Sequence, residues 1–163
     1  MKEAEVKSIV SAVMQQTQAT HMTLAIAAAL MNRIEKKAAQ MGVSAVVAVS
    51  NDAARPVAVH CMDDSYIASY DVALQKSYTV VALKMSTAEL KPLSQPGGSL
   101  YGIQYTNQGQ IVIFGGGEPL WYQGRLIGGL GVSGGTEEQD SALAQYGAEC
   151  IEEVILWQST NKK

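Results

Sequence analysis

Three glycines, Gly128, Gly129 and Gly131, interrupt the apolar run from Arg125 to Ser133 where a β-strand would carry packing side chains. Glycine weakens a strand by itself, so three in one strand predict that another backbone, a helix or a ligand lies close against it. The chain then passes through Ser133-Gly134-Gly135 into Thr136-Glu137-Glu138-Gln139. That is the pattern of a helix N-terminus, with Thr136 as cap and Gln139 as its capping-box partner. A strand turning through glycines into a helix start aims free backbone N–H groups and the positive end of the helix dipole at one place, which suits a carboxylate or a phosphate. Gly131, Ser133, Gly134, Gly135 and Thr136 are therefore candidate ligand-binding residues. The competing expectation is that the glycines serve only tight strand-to-helix packing, with Glu137 and Glu138 occupying the first turn.

Two familiar chemistries are disfavoured at this junction. No Gly-Lys-Ser/Thr follows, so it is not a nucleotide P-loop. Gly131-Val132-Ser133-Gly134-Gly135 spells G-x-S-x-G in a strand-turn-helix context. A hydrolase of that type places its acid and histidine after the serine, whereas His21 and His60 both precede Ser133. Ser133 is accordingly expected to be a turn hydroxyl rather than a nucleophile.

At 163 residues the chain is long enough for one well-buried core, and residues 1–163 are expected to form a single domain. Only 17% of residues are charged, against about 25% in typical soluble proteins, which predicts that part of the surface is covered in a homo-oligomer. A net charge of −3 offers no basic field for nucleic acid or an anionic membrane. The first sixteen residues alternate charged and apolar side chains, so they predict neither a secretory signal nor a membrane anchor, and the expected location is the cytoplasm. Cys61 and Cys150 have no C-x-x-C partner and are expected to be reduced and buried.

Apolar residues at helical spacing predict helices around Val6–Met14, Leu24–Met41, Tyr66–Val81 and Leu143–Ile155, the last with Gly147 on its apolar face. The tyrosines and methionines at this spacing are expected in the core. Strands are predicted at 43–50, 56–62, 110–114, 120–123 and 126–133, with a turn closed by Pro92 and a Pro/Gly loop to about Gly98 between the third helix and the third strand. Two hairpin-connected groups of strands separated and flanked by helices indicate an α+β domain with an antiparallel five-stranded sheet.

Over about residues 22–155 the chain resembles the GlcG/HbpS family, which includes the C-terminal domain of PduO-type corrinoid adenosyltransferases. The resemblance is carried by Thr23-Leu24, Met62-Asp63, Ser69, Ala73, Lys76 and Thr79, Thr87 with Leu90, Gly115 to Leu120, and above all Gly128 to Asp140. It implies a profilin-like or PAS-like fold, assembly into dimers or larger rings, and binding of haem or a related tetrapyrrole. Asn51-Asp52-Ala53-Ala54 departs from the family, which commonly has Asp-Gly after the first strand. The adenosyltransferase activity of the PduO type is not expected to carry over, because the resemblance is to its C-terminal domain alone.

Haem requires a nitrogen or soft axial ligand, an apolar slot, and cations or N–H donors for its propionates. His21 stands at the entrance to an alanine-rich helix and is the favoured iron ligand; His60, between apolar strand residues, reads as a hydrogen-bonded sheet histidine. Lys76 is expected to meet an acid such as Asp63 or a bound anion, Glu118 is either a cavity acid or a turn acid, and Asp140 serves the helix dipole. The leading expectation is a haem- or corrinoid-binding module, accessory to cobalamin-dependent or diol/glycolate utilisation, with a tetrapyrrole or small anionic ligand. The alternatives are an enzyme using Lys76, Asp63 and the glycine-lined helix start, or a structural partner of a metabolic complex.

Overall fold

A computed structural model of the chain describes residues 2–18 and 21–161. Five α-helices accompany a four-stranded antiparallel sheet: α1 (Glu3–Gln18), α2 (Leu24–Gln40), β1 (Val46–Asn51), β2 (Pro56–Cys61), α3 (Ile67–Leu83), α4 (Thr87–Ser94), β3 (Gly117–Tyr122), β4 (Arg125–Ser133) and α5 (Glu137–Thr160). Short 3-10 turns at Ile103–Tyr105 and Asn107–Gly109 bridge α4 and β3. The strand order is β2-β1-β4-β3, which joins the two sequence-local hairpins through a β1–β4 pairing.

Helices α2 and α5 cover one face of the sheet. Ile26, Leu30, Met31 and Ile34 of α2 meet Val47, Val49, Leu130 and Val132 of the sheet and Leu143, Ile151 and Ile155 of α5 in the main core. Gly147 lets α5 cross closely, because a Cβ there would come within 2.7 Å of Ile34 Cδ1. The other face belongs to α3, whose Ala73 packs on Val46 and Ala48. Here the glycine strand finds its explanation: a Cβ on Gly131 would overlap the Ala73 carbonyl, and one on Gly129 would overlap that of Ser77. The approaching object is the α3 backbone itself. Ser50 Oγ donates to the Ser77 carbonyl at 3.0 Å and joins the two layers.

The expected fifth strand at 110–114 is not formed, and the sheet has four strands. Thr79 on α3 captures this segment instead, its hydroxyl accepting from the Val112 N–H at 3.0 Å, with Ile111 and Val112 buried. The region read as a turn closed by Pro92 is the helix α4, started by a Ser86–Glu89 capping box and holding Pro92 inside it. Tyr66 and Tyr70, expected in the core, lie exposed at the start of α3, as does Ile67. Cys61 is exposed and Cys150 half-buried, both as free thiols, in place of the expected burial. In α1 every residue from Glu3 to Val13 is exposed, Ile9, Val10 and Val13 each more than half. The expected apolar contribution of Met14 lies outside the described side chains. No described helix is long and apolar enough to cross a membrane.

Candidate functional site

The glycine-rich junction encloses a charge with no exposed surface. Lys76, on the sheet-facing side of α3, is 0% exposed, and its Nζ donates to the Val132 carbonyl at 2.7 Å and to Asp140 Oδ2 at 3.1 Å. The Phe114 ring lies over the ammonium at 5.0 Å. Gly116, at φ 110°, makes room for it, since a Cβ would stand 2.5 Å from Nζ. Burial presses the Lys76 pKa down and the Asp140 pKa up, and each shift is opposed by attraction to the other group. The partner of Lys76 is thus Asp140, 64 residues away, rather than Asp63, which is exposed in the turn after β2.

The same carboxylate answers the anion question at the start of α5. Asp140 Oδ1 accepts from the Gly135 N–H at 2.9 Å, and Thr136 and Gln139 form the expected reciprocal capping box. Glu137 accepts from Gly115 N at 2.9 Å and from Lys91 Nζ at 2.6 Å; the Lys91 hydrogen bond, then that of Gly115, holds its pKa below the ordinary value. The helix dipole is therefore met by the chain's own carboxylates. Ser133 is buried and its hydroxyl donates to Ser69 Oγ at 3.1 Å, on the α3 side of the sheet. Gly134 and Gly135, with Ser44 of the β1 approach, edge an open depression of about 240 Å³ beside Tyr66 and Asp64.

His21 lies elsewhere. It is exposed, held at the mouth of α2 by buried Met22 and by Thr23, whose hydroxyl caps the helix by accepting from Ile26 N at 3.2 Å. An open groove of about 440 Å³ runs between α2 and α5, floored by Ala25, Ala28 and Ala29 and walled by Trp157; His21 is not among the residues that line it. Asn32, Arg33 and Lys36 continue the α2 side. Arg33 forks onto Glu153 of α5 at 2.8 and 3.0 Å, and Gln158 Nε2 donates to the Ala25 carbonyl at 3.3 Å, so side chains tie the two helices together along the groove. Lys36 has no ion-pair partner among the described residues. Sequence reading found the small residues of α2 but not Trp157, because nothing in the local pattern of α5 announces which helix it will face.

His60 lies against Glu35 Oε1 through Nδ1, as a hydrogen-bonded sheet histidine would. The Glu118 carboxyl group is half-buried on β3 with no hydrogen-bond or ion-pair partner among the described residues. Burial, reinforced by the negative charge of Glu89, pushes its pKa up to about 7. Among the described residues no group of three or more His, Cys, Asp and Glu side chains is arranged to hold a metal ion.

Residues 22–149 match the family described as haem degrading protein HbpS-like. The chain is 43% identical, over 82% of its length and 94% of the relative's, to an uncharacterized 15.0 kDa protein of Citrobacter freundii from the dhaT-dhaS intergenic region. It is also 43% identical to the corrinoid adenosyltransferase PduO of Salmonella typhimurium, over 71% of this chain but only 34% of that protein. The crystal structure of Klebsiella pneumoniae protein ORFY superposes with a TM-score of 0.78 at 41% identity, covering 80% of this chain and 90% of the other, and that of a PduOC:heme complex with a TM-score of 0.76 at 37% identity, covering 79% and 94%.

Proposed function

Because the chain belongs to the HbpS-like family, we propose that it is a haem-binding module with its ligand site at the His21 end of the α2–α5 groove. The observation that carries this reading is the groove itself, where an alanine floor and an indole wall offer apolar surface on the helix that the exposed His21 precedes in the chain. Lys36 and Asn32 line the groove and would suit the carboxylates, and His21, which precedes α2 in the chain, would supply the imidazole nitrogen for iron. Bound haem supplies an iron centre whose reactivity depends on its axial ligand and the polarity around it. The chain's own contribution is to hold His21 at the surface through Met22 and Thr23, and to leave the alanine floor free of larger side chains.

Lys76 supports a binding role over acid-base chemistry at the glycine junction, since its ammonium has no exposed surface and both its acceptors belong to the chain. The likeness to PduO, of which the chain spans about a third, supports an accessory place in corrinoid-dependent or small-metabolite utilisation, with a corrinoid as the second ligand to try. A homo-oligomer in the cytoplasm remains the setting we propose for it.

Haemin titration followed at the Soret band tests the assignment. Wild-type protein and His60→Ala are expected to give a saturating, shifted band at fixed stoichiometry, and His21→Ala to lose the low-spin feature. A non-saturating signal from the wild type removes the haem reading; unchanged spectra in both single variants remove histidine ligation.

A further inference from the structure

A second groove shares no residue with the first. The β1–β2 turn, the middle of α3 and the loop at 107–110 enclose about 430 Å³, lined by Ala54, Arg55, Tyr78, Asn107, Gln108 and Gln110 among others. Arg55 has no hydrogen-bond or ion-pair partner for its guanidinium among the described residues, and no carboxylate lines the groove. The Tyr78 hydroxyl accepts from Asn107 Nδ2 at 3.0 Å, which leaves its own hydrogen to donate elsewhere. The Thr106 hydroxyl lies 2.6 Å from the Ile103 carbonyl and 2.9 Å from Asn107 Oδ1, so its one hydrogen is shared between the two.

The backbone around this groove is held in costly conformations. Six non-glycine residues have positive φ among those described, and three of them, Ala54 (56°), Asn107 (49°) and Gln108 (59°), line it. Such residues persist only where their surroundings fix them, and they concentrate at ligand sites. The fixing contacts are present. Asn51 Oδ1 accepts from Ala53 N and Arg55 N, both at 3.0 Å, to shape the turn, while Thr79 anchors the far side through Val112 N at 3.0 Å. This is also the turn at which Asn51-Asp52-Ala53-Ala54 departs from the family's usual Asp-Gly.

We propose that this groove binds a small hydroxylated anion, its carboxylate or phosphate forked by Arg55 and its hydroxyls met by Tyr78 and the carboxamides of Gln108 and Gln110. A guanidinium matches a planar carboxylate or a phosphate edge with two parallel hydrogen bonds. Carboxamides both donate and accept, as a hydroxyl requires. The volume lies in the range of small-molecule sites. With one cation and an open mouth, the expected dissociation constant is about 1 mM.

Amide chemical shifts of the full chain, titrated with glycerate, glycerol 3-phosphate and glycerol, test the proposal. The anions are expected to move the amides of residues 53–55 and 107–110 saturably, with glycerol inert; the tighter of the two tells whether the site prefers carboxylate or phosphate. Arg55→Ala is expected to weaken binding at least tenfold and Tyr78→Phe about threefold, while Arg125→Ala, an exposed arginine outside the groove, leaves it unchanged. The spectra themselves report whether each variant is folded. No saturable shift with either anion, equal response to glycerol, or binding that survives Arg55→Ala overturns the site.

Discussion

The glycine-rich junction and the α2–α5 groove are both built from small residues, yet one is full and the other open. At the junction, Gly129 and Gly131 are filled by the α3 backbone, and the space beside Gly116 by the Lys76 ammonium. In the groove, Ala25, Ala28 and Ala29 face a gap, with Trp157 across it. The difference lies in what arrives from elsewhere in the chain. Small residues mark where something approaches closely, and only the tertiary structure tells whether it is the protein's own backbone or a place left for a ligand.

The comparison is broken most directly by removing the buried cation. Lys76→Met leaves Asp140 buried with no cation to pair with and only backbone N–H groups of Gly134 and Gly135 to satisfy it, and a loss of about 4 kcal/mol is expected in urea unfolding. The double variant Lys76→Met/Asp140→Leu is expected to recover much of it; equal loss in both would mean the pair is not coupled. Next comes Gly131→Val, expected to cost about 3 kcal/mol because the Ala73 carbonyl is backbone and cannot swing aside. Melting close to the wild type would show that α3 is not seated on β4. Ser133→Ala should lose only about 1 kcal/mol, for its hydrogen bond to Ser69, and stoichiometric fluorophosphonate labelling of the wild type at Ser133 would contradict its structural role. In the open region, Ala28→Leu is expected to change stability by no more than about 0.5 kcal/mol while weakening haemin binding. A large stability loss there would show that the groove is closed.

A pH effect sharpens the picture at the sheet edge. Glu118 has a folded pKa of about 7 against an ordinary 4.5, so between these values the native state keeps a proton that the unfolded chain has released. Stability therefore falls as pH rises through that window. Glu118→Gln is expected to flatten this slope and to melt above the wild type at about pH 8, with the two converging towards about pH 4. Parallel melting curves across the range would discount the burial of Glu118.

Local patterns were legible and long-range partners were not. The α2 and α5 periodicities and the Thr136–Gln139 capping box each depend on residues near in sequence, and each is present; the glycines of β4 likewise signalled a close approach, though not that α3 makes it. The Ser86–Glu89 capping box was equally local, but Pro92 masked it, because proline usually ends a helix rather than sitting inside one. The segment 110–114 has strand-like composition; the competing hydrogen bond from Thr79, more than thirty residues earlier, decided its conformation. The same reason hid the Lys76–Asp140 pair and the meeting of Trp157 with the alanines of α2. Ile67, 96% exposed, shows the converse limit, since helical spacing identifies an apolar face without saying that anything covers it.

The strand order also fixes which parts of the sheet a neighbouring molecule would meet. Both margins carry proline: Pro56 opens β2 on one side, and Pro119 stands within β3 on the other, next to Glu118 and just before the irregular pairing at Leu120/Trp121. A strand from another molecule growing onto either margin would find a missing N–H donor, and on β3 also a carboxyl group that would have to be covered. Natural sheets use such features to resist edge-to-edge polymerisation. Edge-to-edge growth of the sheet is therefore disfavoured at both margins.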